Sequence, residues 1–110
     1  MAKFVKGDVV VVPFPFSDLT QAKRRPALVL AELSGDDAIL SQITSQNIKD
    51  SYSIPLVLED FESGSLNRNS NIRPNRIFTA DQKILLYKVG HLNLNKIEET
   101  ISGLIKILRK

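Results

Sequence analysis

Short runs of apolar residues, separated by polar turns, recur through most of the chain. The first run, Val9 to Val12, is entirely β-branched and follows the turn pair Gly7-Asp8. Such runs are typical of β-strands. The near-continuous apolar run that begins at Pro26 predicts a strand buried on both faces. The predicted strands are residues 7–14, 26–33, 38–44, 54–58, 71–81 and 87–92.

Two prolines indicate where the sheet has edges. Pro13 lies near the end of the first predicted strand and Pro55 lies within the fourth. Proline has no N–H to donate, so we expect both residues at positions where a hydrogen bond to a neighbouring strand is not required. Residues 62–71 are rich in Ser, Asn and Gly and show no alternation, which predicts a flexible excursion between strands.

The last segment of the chain has a different period. Its apolar residues recur at the spacing of an amphipathic helix. Asn93 or Asn95 can cap this helix, the latter with Glu98 three residues on, as in a capping box. Closely spaced strands followed by one helix predict a mainly β fold, a small barrel or coiled antiparallel sheet with a C-terminal helix. The apolar helical positions are Leu94, Ile97, Ile101, Leu104, Ile105 and Leu108.

Length and composition limit the chain to one core. With 110 residues and 12.3 kDa we expect a single domain over residues 1–110. The sequence has no cysteine, which excludes disulfides and thiolate metal sites and suits a reducing cytoplasm. Its apolar runs are too short for a membrane span, and its first residues lack the apolar segment of a signal peptide.

The net charge of +3 is unevenly distributed. Residues 1–30 carry +3, residues 31–64 carry −6 and residues 65–110 carry +6. Two basic ends around an acidic middle can fold into a surface with one positive face for a polyanion. They can equally form an unevenly charged solvated surface, and the charge distribution alone leaves both interpretations open.

Few residue types that support catalysis are present. With one histidine and no glycine-rich phosphate loop, the sequence lacks the parts needed for dinucleotide binding, P-loop hydrolysis and zinc catalysis. Arg25 is the most specific candidate, because Pro26 biases it towards an extended conformation at the base of a loop. Its guanidinium can bind two phosphate oxygens there, beside Lys23 and Arg24. A basic hairpin shoulder that aids solubility explains the same residues.

Two further polar clusters follow strands. Thr44, Ser45 and Gln46 lie at a strand exit and suit phosphate or base contacts, although Ser and Thr also form turns there. Later in the chain, Arg73 precedes Pro74, and a second arginine and an aspartate follow. That aspartate can act as a base or pair with an arginine.

An ordered set of motifs resembles the MazF/PemK (Kid) toxins of type II toxin–antitoxin systems. The set comprises Gly7-Asp8-Val9-Val10, Arg25-Pro26-Ala27-Leu28-Val29-Leu30, Ile43-Thr44-Ser45 and Gly90-X-Leu92 before a helix. The resemblance covers nearly the whole chain and implies a strongly twisted antiparallel sheet, related to SH3-like barrels, with a C-terminal helix. It also implies a cytoplasmic homodimer that cuts single-stranded RNA, usually mRNA, at short sequences without a metal or other cofactor. A cognate antitoxin would lay a tail across the RNA groove.

The resemblance also implies roles for particular residues. Matched by motif, Arg25 is the active-site arginine and Thr44 is the strand-end hydroxyl. The later arginine and aspartate of the family fall near Arg76 and Asp81, with Arg73 as a rival for the arginine. The residues expected to bind RNA are Gln21, Lys23, Arg24, Ser45, Gln46 and Arg73.

The implied reaction is attack of the RNA 2′-hydroxyl on the adjacent phosphorus, which yields a 2′,3′-cyclic phosphate and a 5′-hydroxyl. The family loop before Arg-Pro commonly reads Ser-Glu-Gln-X-Gly, of which only Gln21 is matched here. The only histidine is His91, so a loop glutamate or histidine is not available as general base. The alternatives are a CcdB-like toxin that targets DNA gyrase and a non-catalytic nucleic-acid-binding module on an SH3-like barrel.

Overall fold

The computed structural model describes residues 3–14 and 23–110, which form seven β-strands, two short 3-10 helices and one α-helix. The 3-10 helices are Leu58–Asp60 and Gln82–Ile84. The strands are β1 (Asp8–Phe14), β2 (Lys23–Glu32), β3 (Asp37–Thr44), β4 (Ile54–Leu56), β5 (Phe61–Gly64), β6 (Ser70–Asp81) and β7 (Tyr87–Leu92), and the helix is α1 (Leu94–Leu108).

The strands pair antiparallel in one curled sheet, in the order β4-β6-β3-β2-β1-β7-β5. This half-barrel with its C-terminal helix confirms the predicted mainly β fold. The edge position of β4 confirms the expectation for Pro55. Strand β1 is internal, but its pairing with β7 ends at Val11, so Pro13 pairs only with β2.

Apolar side chains pack on both faces of the sheet, which explains the uninterrupted apolar runs of β1 and β2. Neighbouring residues of a strand point to opposite faces, so Val9 and Val10 enter different cores. The first core, which α1 covers, comprises Val9, Leu28, Leu30, Ile43, Ile54, Leu56, Ile72, Leu92 and Ile97. The second comprises Val10, Val12, Ala27, Val29, Ala38, Leu40, Ala80 and Leu85.

The structure differs from the sequence prediction at the excursion expected over residues 62–71. Strand β5 occupies the first part of this segment and pairs with β7 at one edge of the sheet. Its side chains from Glu62 to Gly64 are exposed, so it has no apolar alternation that could reveal a strand. The remainder, residues 65–69, is a short connection between β5 and β6.

Helix α1 begins immediately after Asn93, whose Oδ1 accepts the backbone N–H of Lys96 at 2.9 Å. The capping box considered at Asn95 is not formed, because Asn95 is already inside the helix. At 15 residues, α1 is the sole α-helix in the described part of the chain, and it is too short to span a membrane.

We predict that Asn93→Ala lowers the free energy of unfolding by about 1 kcal/mol, because the N–H of Lys96 loses its acceptor. Asn95→Ala is the matched control and should leave stability unchanged or slightly raised, since alanine favours helix interiors. Urea unfolding followed by circular dichroism measures both. A larger loss for Asn95→Ala than for Asn93→Ala would contradict the assigned cap.

Candidate nucleic-acid interface

The pairing of β2 with β3 brings Arg25 and Thr44 together. Ala27 pairs with Gln42 at this end of the ladder, and Arg25 and Thr44 each lie two residues beyond, on the same face as that pair. Residues opposite each other in an antiparallel ladder project from the same face. Both residues are half-buried, and they line the same hollow of about 180 Å³. The structure thus places this guanidinium and this hydroxyl in one site.

A bulge in β6 carries two more arginines to the same hollow. Ser41 of β3 pairs with Ile77, whereas the next residue, Gln42, pairs with Arg73. Residues 74–76 therefore have no partner on β3 and leave the regular ladder. The buried Ser41 holds the bulge by donating its hydroxyl to the carbonyl oxygen of Arg73 at 2.7 Å. Arg73 and Arg76 both line the hollow as a result.

A second hollow, of about 270 Å³, adjoins the first and shares Arg25, Ile43 and Thr44 with it. We call the two hollows together the groove. The first is also lined by Gln42, Gln46, Arg73 and Arg76. The second is also lined by Arg24, Pro26, Ser45, Leu66, Asn67, Arg68 and Ser70.

The groove is strongly basic. Five of the side chains that line it are arginines, and none of the lining residues in the described part of the chain is acidic. Guanidinium groups form paired hydrogen bonds with phosphate oxygens, and a cluster of them attracts a polyanion. The groove therefore suits a phosphodiester chain. The five are Arg24, Arg25, Arg68, Arg73 and Arg76.

Asp50 fixes Arg73 from behind the groove. Its Oδ2 lies 3.1 Å from a terminal nitrogen of Arg73, and its Oδ1 accepts the backbone N–H groups of Tyr52 and Ser53 at 2.9 and 3.0 Å. Burial acts to raise the pKa of Asp50, but these N–H donors and Arg73 outweigh it, so the pKa lies below its ordinary value. The carboxylate therefore stays charged at neutral pH and orients the Arg73 guanidinium.

Two hydrogen bonds hold the chain where β3 ends. The hydroxyl oxygen of Thr44 accepts the backbone N–H of Gln46 at 3.1 Å, and Asn71 donates from its side chain to the carbonyl oxygen of Gln46 at 3.2 Å. Because the threonine oxygen acts as an acceptor in this turn, its own proton can be donated to a ligand. The turn-forming and ligand-binding interpretations of Thr44 are therefore compatible.

The structure does not bring Asp81 to the groove. Asp81 pairs with Asp37 at the start of β3, seven residues from Thr44 and about 23 Å away along the strand. Its carboxylate accepts the backbone N–H of Lys83 at 2.8 Å and so caps a 3-10 helix. The prediction that Asp81 belongs to the site is therefore wrong. The sequence interpretation erred because β6 is a long strand that carries Arg76 and Asp81 to different ends of the sheet.

Of the other residues that the sequence predicts to bind RNA, some line the groove and some do not. Arg24, Ser45 and Gln46 line the groove, whereas Lys23 is exposed on β2 and lines neither hollow. Gln21 lies outside the described residues. The sequence patterns did not indicate Gln42, Asp50 or four residues around the start of β6, three from the connection before it and the first residue of the strand itself. The polar stretch after β5 was the available signal for those four, which are Leu66, Asn67, Arg68 and Ser70.

His91 lies away from the groove, where β7 pairs with the start of β1. Its Nδ1 is 2.8 Å from a carboxylate oxygen of Asp8, which is 3% exposed and also accepts the N–H of Val5. This arrangement closes the turn before β1. Within residues 3–14 and 23–110, no three His, Cys, Asp or Glu side chains group so that they could hold a metal ion.

Residues 5–108 match a protein family described as the PemK-like, MazF-like toxin of type II toxin–antitoxin systems. Among solved structures, MazF (Form-I) from Deinococcus radiodurans is 17% identical, has a TM-score of 0.77 and is matched over 100% of both chains. A mycobacterial endoribonuclease in complex with its cognate antitoxin is 12% identical, with a TM-score of 0.76 over 96% of this chain and 94% of that chain. A MazE–MazF complex (Form-II) from Deinococcus radiodurans is 17% identical, with a TM-score of 0.73 over 98% and 97%. None of the curated proteins compared with the chain matches it. At these identities, the structural likeness shows a shared fold.

We predict that Asp50→Asn lowers the urea midpoint of unfolding at pH 7, because Arg73 loses its charged partner. Folding lowers the pKa of Asp50. The difference in urea midpoint between the variant and the unchanged protein should therefore be largest above about pH 4, and it should disappear as the pH falls through the pKa of Asp50 in the folded state. Asp36→Asn is the control, because Asp36 is exposed and meets the exposed Lys83 only at 3.9 Å. An equal, pH-independent loss in both variants would contradict the role of Asp50.

Proposed function

Because the chain belongs to the PemK-like, MazF-like toxins of type II toxin–antitoxin systems, we propose that it is a metal-independent endoribonuclease that cleaves single-stranded RNA, chiefly mRNA, at short sequences. One observation carries the proposal. Arg25 and Thr44 line both hollows of a groove that contains five arginines. A ligand that occupies both hollows must therefore cross this pair, which is where a scissile phosphate would be held.

The RNA supplies its own nucleophile. The 2′-hydroxyl attacks the adjacent phosphorus in line, the bond to the 5′-oxygen of the next nucleotide breaks, and the proton lost by the 2′-oxygen is balanced by one gained by the leaving oxygen. The products are a 2′,3′-cyclic phosphate and a 5′-hydroxyl. The protein needs to orient the two nucleotides and stabilise the charge that develops on phosphorus.

We assign the electrostatic part of this task to Arg25. Arginine remains protonated in proteins, so its guanidinium is a poor acid but a permanent donor for the phosphorane oxygens. The Thr44 hydroxyl would donate to the phosphate or position the 2′-hydroxyl. Arg76 and the Asp50-bound Arg73 would hold neighbouring phosphates.

We further propose that the protein acts in the cytoplasm, that it forms a homodimer, and that a cognate antitoxin binds it. A positive groove that binds RNA would equally accept an acidic antitoxin segment, which would block the substrate. The apolar side chains of Ile84, Leu86 and Tyr87 are exposed near the start of β7, although Leu85 between them is buried, and they support an interface between copies.

We predict that Arg25→Ala lowers the cleavage rate on a long single-stranded RNA, with EDTA present, by about 10²- to 10³-fold, because one contact to the transition state is lost. Arg109→Ala, at the exposed end of α1, is the matched arginine control and should cleave at the normal rate. Rates from gel assays and identification of 5′-hydroxyl ends check both points.

One result would contradict the assigned site, and two others would contradict the proposed function. Unchanged cleavage by Arg25→Ala would remove the assignment of the groove. RNA binding without 5′-hydroxyl products would indicate a non-catalytic binding module. Inhibition of gyrase supercoiling while RNA stays intact would indicate a toxin that targets gyrase.

We predict that sedimentation of the purified protein gives twice the 12.3 kDa of one chain. Leu86→Asp should produce monomers, because a charge would be buried in the interface. Leu58→Asp is the control, since Leu58 is also exposed but lies on another part of the surface. A species of only 12.3 kDa for the unchanged protein would rule out the dimer.

A further inference from the structure

We infer that Asn67 and Arg68 select the base of one nucleotide next to the cleaved bond, whereas Arg73 and Arg76 bind the RNA backbone without regard to sequence. The inference rests on the proposed RNA-cleaving function and adds which part of the groove determines specificity. It assigns this role to the connection between β5 and β6, which the sequence analysis treated only as an excursion.

The two hollows differ in chemistry on either side of the shared Arg25 and Thr44. The smaller one adds two arginines and the amides of Gln42 and Gln46 in about 180 Å³, and its higher density of charge suits phosphate oxygens. The larger one, of about 270 Å³, also adds two arginines, Arg24 and Arg68, but it adds the amide of Asn67 and the apolar side chains of Pro26 and Leu66 as well. These groups are suited to a nucleobase, which needs an apolar wall for its face and donors and acceptors for its edge.

The connection that carries Asn67 and Arg68 is fixed at both ends. At its start, Gly64 has a φ of +71°, and a Cβ there would lie 2.1 Å from the carbonyl oxygen of Val89. The backbone N–H of Ser65 donates to that same oxygen at 3.2 Å. Only glycine permits this approach of β5 to β7, so the point from which residues 65–69 leave the sheet is set by contacts between backbones.

The middle and the end of the connection are fixed as well. Leu66 packs against the first core, which holds the segment to the body of the protein. At the far end, the Ser70 hydroxyl donates to the carbonyl oxygen of Arg68 at 3.0 Å. Asn67 and Arg68 are therefore exposed side chains on an anchored backbone, and a preorganised backbone loses little entropy when it binds a ligand.

Their side chains can discriminate between bases. An asparagine amide both donates and accepts, so it matches a base edge that offers an acceptor beside a donor, and an arginine can donate two hydrogen bonds to guanine or stack on a base. Contacts to phosphate carry no sequence information directly. Specificity should therefore depend on the larger hollow and affinity on the smaller one.

The test uses a single-stranded RNA library with randomised positions, with sequencing of the 5′-hydroxyl ends after cleavage. Asn67→Ala and Arg68→Ala should reduce the preference for a base at one position beside the cut by about 10-fold or more. Asn69→Ala is the matched control, because Asn69 is an exposed neighbour that lines neither hollow. It should leave the preference unchanged.

Arg76→Ala should instead weaken cleavage of all sequences to the same extent. The slope of log affinity against log salt concentration should become shallower by about 0.7, because one phosphate contact to a single strand is lost. Asn67→Asp, which keeps the size of the side chain but removes its donors, should change which base is preferred. This variant separates recognition from any loss of folding in Asn67→Ala.

Two readouts separate the inference from the function on which it rests. The same library is bound and eluted without cleavage, and the retained sequences are compared. If the unchanged protein binds with a base preference that Asn67→Ala and Arg68→Ala remove, the inference holds even when no RNA is cut. If neither variant alters the preference in cleavage or in binding, or if Asn69→Ala alters it equally, the inference is overturned and the proposed function is not affected.

Discussion

The antiparallel pairing of β2 with β3 is the constraint on which the candidate site depends. Side chains alternate between the faces of a strand, so a slip of one residue in this pairing would place Arg25 and Thr44 on opposite faces. The pairing is held by the buried run Ala27–Leu30, whose side chains enter both cores in turn. A slip would move each of these side chains into the other core and disrupt the packing of both. The geometry of the site is therefore a consequence of how the core is packed.

Five arginines in one groove repel each other, and the fold pairs one of them, Arg73, with a carboxylate. Asp50 pairs with Arg73 but is not itself one of the residues that line the groove. In the β6 bulge, the carbonyl oxygen of Arg73 accepts a hydrogen bond from the Ser41 hydroxyl. The arginines come from both basic segments of the chain, two from residues 1–30 and three from residues 65–110. Of the acidic middle segment, Asp50 approaches the groove, whereas Asp37 lies at the opposite end of β3. Arginines from both basic segments of the sequence thus meet in one groove.

The sequence predicted most of this fold because buried strands and an amphipathic helix leave periodic patterns. Strand β5 left none, since three of its four residues are exposed and the strand is held at the edge of the sheet by backbone pairing with β7. Within the site, Arg25 was identifiable because Pro26 restricts its conformation. Asp50 and Asn67 were not, because their positions depend on a tertiary contact and on an anchored connection. Asp81 matched the family pattern, but a motif match does not show that β6 carries this residue towards the start of β3, away from Thr44.

Among the described residues that line the groove there is no carboxylate, and this bears on how the groove could accelerate RNA cleavage. A carboxylate placed among five guanidinium groups would have a strongly lowered pKa, and a weakly basic carboxylate is a poor proton acceptor. The same arginines are well suited to stabilise an anionic phosphorane, whose charge exceeds that of the starting phosphodiester. Charge stabilisation and proton abstraction therefore place opposite demands on the electrostatics of one site. In the described residues the groove meets the first demand, which is consistent with a reaction whose nucleophile, the 2′-hydroxyl, is already part of the substrate.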